Sequence, residues 1–159
     1  MRVVFLCLLL VLIWGCQSTN GQVAQEKIVV GELSSAELLS AYPAFEAEYH
    51  AYQPTAAELS AAAKLNGLKV VVLFGTWCHD SEREVPRLLK LFDLVGLSQD
   101  NLQLIGVNQN KQEPSGLYRR LDLRFTPTII LFDGDKELGR IIEKPDNNIA
   151  QDLAAILAK

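Results

Sequence analysis

The chain has 159 residues, of which 49% are hydrophobic and 21% charged, and it carries a formal net charge of −4 at pH 7. That length accommodates one domain with a buried core plus a targeting segment, and the composition excludes both a disordered chain and one embedded in a membrane throughout. No run of Lys and Arg occurs, which removes the electrostatic basis for binding nucleic acid, and a mildly acidic chain mainly implies solubility.

Residues 1–15 read as a signal peptide. Arg2 precedes an apolar run over residues 3–13, too short to cross a bilayer as a helix and suited to the apolar centre of a secretory signal. The run ends in Ile13-Trp14-Gly15-Cys16. This resembles a bacterial lipobox, with an aliphatic residue three before the cysteine and a small residue directly before it; Trp14 departs from the small residue usual at its position. The resemblance implies that Cys16 becomes the first mature residue and is acylated, tying the chain to the extracytoplasmic face of a membrane. Gln17 in place of Asp implies sorting to the outer membrane, facing the periplasm, in a cell with two membranes. A plain signal peptide with Cys16 incidental is the alternative. Residues 16–25 are polar and aperiodic and read as a tether.

Residues 26–159 make up the domain. Residues 27–33 have the pattern of an edge strand. Ser34-Ser35-Ala36-Glu37 is a capping signature, followed by Leu38, Leu39, Tyr42, Phe45 and Tyr49 at helical spacing. After Pro54, Thr55-Ala56-Ala57-Glu58 repeats that signature ahead of an Ala-rich helix to Leu65, closed by Asn66-Gly67, so 34–65 is a helical segment. Residues 69–75 form a continuous apolar run, as expected of a central strand buried on both faces. Residues 81–95 read as a helix with Val85, Leu88, Leu89, Phe92 and Val95 on one face. A strand over 101–108 and a short helix over 115–121 follow. Residues 128–132 and 138–142 pair around the turn Asp133-Gly134-Asp135, and a closing helix over 147–158 turns Ile149, Leu153, Ile156 and Leu157 inward. This order predicts an α/β protein whose mixed central sheet is covered by helices on both faces.

The chemistry concentrates in Trp77-Cys78-His79-Asp80-Ser81, between the central strand and the next helix. On the lipobox resemblance Cys7 would leave with the signal and Cys16 would be acylated, so Cys78 would be the one free thiol of an oxidising compartment, with no partner for an internal disulfide. At a helix N-terminus, unpaired N–H groups and the helix dipole favour the thiolate. A protonated His79 would act in the same direction, and Asp80 and Glu82 against it. Two bland readings stand beside these: Cys78 as a buried small hydrophobe, and His79 as a solvated residue with no task.

Downstream the chain reads Phe125-Thr126-Pro127-Thr128, opening another apolar run, and Pro86 lies eight residues after Cys78. A Trp-Cys at the end of a central strand, a proline inside the helix it opens and a Thr-Pro opening the next strand resemble the thioredoxin-like superfamily. The resemblance covers roughly residues 65–158. It implies a three-layer thioredoxin-like fold, with 34–65 as an N-terminal helical extension. It further implies a cis Thr126–Pro127 bond, the Thr126 backbone facing Cys78 and ready to pair with an extended substrate, and Trp77 shaping the groove. Thiol–disulfide exchange is the activity it implies, with protein or small-molecule thiols and disulfides as partners.

Several residues depart from that family. Ser81 stands where the second, resolving cysteine belongs, Val72 where a buried acid precedes the motif, and Leu104 or Ile105 where a lysine lies on the next strand. A Ser81 hydroxyl can hydrogen-bond a thiolate but cannot release a mixed disulfide, which leaves only one-thiol chemistry. Ser81 also reads as a helix cap, with Glu84 three residues on. The candidate set is therefore Cys78, Ser81, His79 and Asp80 for reactivity, with Trp77, Thr126 and Pro127 framing the substrate. No cofactor or metal is expected: Cys78, His79, Asp80 and His50 supply a single thiolate, a weak soft-metal set. Two further readings stay open. One is a redox-silent module holding an extended peptide on the Pro127 loop. The other is a monothiol peroxidase, disfavoured because Gly75 stands where peroxiredoxins place a Thr.

Overall fold

The computed structural model describes residues 27–159, so the signal peptide, Cys16 and the tether lie outside the described residues. Its elements are β1 (Gly31–Leu33), α1 (Ser35–Ala41), α2 (Pro43–Ala51), α3 (Ala56–Ala62), β2 (Lys69–Phe74), α4 (His79–Val95), β3 (Leu102–Gly106), α5 (Leu117–Arg120), β4 (Thr128–Asp133), β5 (Lys136–Ile142) and α6 (Ile149–Ile156). The five strands form one sheet in the order β1-β3-β2-β4-β5. Strands β2 and β3 run parallel and the remaining neighbours antiparallel. With β2 at the centre, its continuous apolar run finds cover on both faces, as the period-two alternation of a strand requires.

The two faces are unequal. Val70, Val72 and Phe74 point into the larger core, shared with Leu38 and Phe45 of the helical extension, Leu88 and Phe92 of α4, and Leu153 of α6. Val71 and Leu73 point the other way, to Ile105, Val107, Leu123 and Ile130, where α5 and its flanks supply Leu117, Tyr118 and Leu121. Phe45 is fully buried with its ring centroid 5.9 Å from that of Phe74. Truncating such a side chain to Ala costs about 3–5 kcal/mol.

Both capping signatures form as read. The Ser34 hydroxyl accepts from the Glu37 N–H while the Glu37 carboxylate accepts from the Ser34 N–H, and Thr55 and Glu58 make the same reciprocal pair. The single long helix expected after Ser34 is instead two. Tyr42 is extended, at φ −126° and ψ 95°, because it precedes Pro43, whose ring excludes the helical conformation from the residue before it; Pro43 then opens α2. The break lets α2 lie along α4. Arg87 Nε donates to Glu48 Oε1 at 2.6 Å, the Lys90 ammonium lies 4.6 Å from the Tyr49 ring centroid, and the Tyr49 hydroxyl donates to Asp93 Oδ2 at 2.6 Å. Segment 34–65 thus packs on α4 and the sheet.

The edge strand is shorter than expected, with only 31–33 pairing to β3. Gly31 takes φ 109°, which swings residues 27–30 off the ladder and lays Val29 across Gly106. A Cβ at Gly106 would come within 2.5 Å of the Val29 side chain.

Candidate active site

Strand β2 ends at Phe74, and a tight turn follows in which the Cys78 N–H donates to the Gly75 carbonyl at 3.0 Å. Gly75 is required there by close approach: a Cβ would stand 2.5 Å from the Trp77 indole. The Trp77 Nε1–H donates to the Val107 carbonyl at 3.1 Å, and the Val107 N–H donates in turn to Phe74 O at 2.8 Å. The indole is thereby fastened across the ends of β2 and β3. Gly75 also stands where the peroxidase reading needed a Thr, and the indole occupies the space such a side chain would fill.

Cys78 is the N-cap of α4, with φ −103° and ψ 120° and no side-chain capping bond. The helix therefore starts at His79, two residues before the expected boundary, and Ser81 is not its cap. Ser81 lies in the first turn, fully buried, with its hydroxyl accepting from the Gly75 N–H at 3.3 Å. The Cys78 thiol is partly buried, and its sulfur lies 3.1 Å from the Thr126 carbonyl oxygen, the S–H donating. The Thr126–Pro127 bond is cis. Its loop is held on both sides: the Glu143 N–H donates to the Pro127 carbonyl at 2.7 Å, and the Thr128 hydroxyl to the Phe125 carbonyl at 2.7 Å.

The structure thus brings Cys78, Thr126 and Pro127 together, with Trp77 and Ser81 packed into the turn behind them. His79 and Asp80 go elsewhere. The His79 side chain is 93% exposed and its Nδ1 lies 3.2 Å from Glu82 Oε2; Asp80 accepts from Arg83 Nη2 at 2.8 Å. Neither makes a hydrogen bond to the Cys78 sulfur among the described residues. Val72, six residues before Cys78, is fully buried.

Two features escaped the reading of the sequence. One is Glu84, buried beneath Arg83, whose Nε donates to it at 2.7 Å; that hydrogen bond, working against burial, raises the Arg83 pKa above its ordinary value. The Glu84 Oε2 atom has no partner among the described residues. The signal available was a charge on the helix face flanked by the inward Val85 and Leu88. The other is an apolar rim: Phe125 is 50% exposed beside Thr126, and Ile142, paired across the ladder to Thr128, is 45% exposed. A separate concavity of about 600 Å³ lies at the opposite end of the sheet, lined by Glu32, Lys69, Gln99 and Gln103, and includes none of the site residues.

No family model matches the chain, and no curated protein matches it. In three dimensions it is similar to a protein of unknown function from Pseudomonas aeruginosa, 20% identical, with a TM-score of 0.56 and 81% of each chain covered. Weaker likenesses are a malarial protein, 26% identical at TM-score 0.41 over 58% of this chain and 96% of that one, and the oxidised form of mitochondrial thioredoxin 3 from Saccharomyces cerevisiae, 18% identical at TM-score 0.36 over 60% of this chain and 86% of that one. Sheet order, strand directions and helices on both faces make this a three-layer α/β, thioredoxin-like fold.

Proposed function

We propose that this chain is a lipid-anchored, thioredoxin-like protein of the cell envelope that carries out thiol–disulfide exchange through Cys78 alone. The observation that supports this most is the partly exposed sulfur at the head of α4, 3.1 Å from the Thr126 carbonyl of the loop opening β4. In the reaction, the Cys78 thiolate attacks one sulfur of a substrate disulfide. The substrate S–S bond breaks, its other sulfur leaves as a thiolate that takes up a proton, and Cys78 is left in a mixed disulfide. Ser81 has no sulfur with which to release that intermediate, so a second thiol, from the substrate or a small molecule, attacks it and returns Cys78 to its reduced form.

The surroundings suit this chemistry. Unpaired N–H groups of the first turn of α4 favour negative charge at its N-cap. Asp80, which would oppose that charge, is held by Arg83, and Glu82 is engaged by His79. Thr126 and Pro127 would receive an extended substrate segment against the wall made by Trp77.

A second reading, a redox-silent module holding a peptide on the same loop, is favoured by the S–H donating to Thr126, since only the protonated thiol can donate. Trapping in intact cells separates the two. Acid quenching and alkylation should reveal mixed disulfides on the wild-type chain that vanish in Cys78→Ser. Partners that co-purify equally with both proteins, without any mixed disulfide, would select the binding module.

A further inference from the structure

Residue Lys27, where the described chain starts, lies at the same end of the sheet as Cys78. Strand β1 pairs Gly31 with Gly106, and Gly106 pairs with Phe74, the last residue of β2 before the Cys78 turn. Upstream of Gly31 the chain stays at that end. Val29 lies against Gly106, and the Lys27 carbonyl accepts from the Tyr42 hydroxyl. Tyr42 itself directly precedes α2, whose Ala44 and Ala47 border one groove with His79 and Glu82 of α4. Ladder pairing, backbone packing and a tyrosine hydrogen bond all put the start of the domain at the thiol's end of the sheet, on the β1 edge.

Exposed apolar groups gather at the same end. Four large apolar side chains are strongly exposed among the described residues: Val30, Leu94, Phe125 and Ile142. Three of them lie here. Val30 precedes Gly31, Phe125 adjoins Thr126, and Ile142 pairs with Thr128. Leu94 lies in the last turn of α4, at the far end.

We infer that the Cys78 end of the domain faces the membrane, and that its partner is a protein held at the same membrane surface that presents a disulfide or thiol beside an apolar side chain. The inference rests on the reading of Cys16 as the acylated residue. Eleven residue steps separate Cys16 from Lys27. Any chain of eleven residues reaches at most about 40 Å, and a flexible one of that length averages about 18 Å end to end. A domain of this size has a radius of gyration of about 14 Å. The attachment point is therefore on average the part of the domain nearest the bilayer, and the thiol lies at the same end of the sheet. Restricting the sulfur to this thin layer raises its effective concentration toward membrane-held disulfides without any new contact. The apolar rim then meets the partner's side chain where it leaves water.

The test uses the full, lipidated chain in phosphatidylethanolamine–phosphatidylglycerol vesicles carrying a pyridyldithio-phosphatidylethanolamine. Thiol attack on that lipid releases pyridine-2-thione, which is followed by absorbance; soluble 2,2′-dipyridyl disulfide is the reference probe. The comparison thiol is Asn66→Cys in a Cys78→Ser background, since Asn66 is exposed and lies just before β2 starts, at the opposite end of the sheet. The ratio of vesicle rate to soluble rate should be several-fold higher for Cys78 than for the thiol at 66. Inserting 20 Gly/Ser residues after Gln25 should lower the Cys78 vesicle rate about fivefold and leave its soluble rate unchanged. Equal ratios at the two positions, or a vesicle rate indifferent to the insertion, overturn the orientation. A Cys16→Ala chain that reacts with vesicles as fast as wild type overturns the anchor and the orientation with it. A Cys78 inert toward both probes while the thiol at 66 reacts overturns the exchange chemistry.

Discussion

The Cys78 sulfur and the Thr126 carbonyl oxygen lie 3.1 Å apart, so one S–H group ties the head of α4 to the loop that opens β4. Cys78→Ser keeps a donor at that point and should unfold within about 0.5 kcal/mol of wild type, while Cys78→Ala leaves a largely buried carbonyl without its partner and should cost about 1 kcal/mol. Urea unfolding of the three proteins measures the difference. Equal stability of the Ser and Ala variants would mean that this contact contributes nothing.

Ser81 is fully buried in the first turn of α4, three residues after Cys78. Residues three apart on a helix are near neighbours, within the reach of a disulfide. Ser81→Cys should therefore lose both domain thiols to alkylating reagent after mild oxidation and regain both on reduction, at some cost because the Gly75 N–H loses its hydroxyl acceptor. Under the proposed exchange through Cys78, it should also release mixed disulfides without help from a second, external thiol.

Gly75 admits no side chain while the indole of Trp77 lies against it. Gly75→Ala should push the ring away, break its hydrogen bond to Val107 and destabilise the domain by about 1–3 kcal/mol. Trp77 is the only tryptophan after residue 15, so its emission reports the displacement directly as a red shift.

Glu113 carries a pH dependence. Burial pushes its carboxyl pKa up, but the Ser115 hydroxyl and the N–H groups of Tyr118, Ser115 and Leu117 outweigh that and hold it below the ordinary 4.5. A carboxylate whose folded pKa is depressed stabilises the fold fully above its unfolded value and loses that contribution as pH falls through the folded one. The stability gap between wild type and Glu113→Gln should be widest above about pH 5 and shrink as pH drops below the ordinary carboxylate range. Urea midpoints across that range check it; a gap that widens on acidification contradicts the sign.

What was legible in the chain was local. The 69–75 run declared a central strand because both of its faces are apolar, and Ser34 and Thr55 announced their helices because each has a Glu three residues on that closes a reciprocal cap. The break at Tyr42 was also written in the sequence, in Pro43, but the helical spacing of Tyr42 and Phe45 continues across it. Ser81 with Glu84 imitates a cap, yet the chain has already turned at Cys78, and the hydroxyl is engaged by Gly75. Nothing local encodes the meeting of Cys78 with Thr126. It follows from β2 pairing with β4, a contact across about fifty residues that only the resemblance to a known arrangement anticipated. The outward turn of His79 and the burial of Glu84 are likewise set by where the sheet and α2 lie against α4.

The most direct measurement is the chemical state of Cys78 in intact cells, read by rapid acid quenching, alkylation and mass spectrometry of whatever is joined to it. Exchange through one sulfur predicts discrete mixed disulfides on Cys78 that disappear in Cys78→Ser and on addition of dithiothreitol. Finding the sulfur free and unmodified in every fraction, under oxidant as well as without it, would contradict the account.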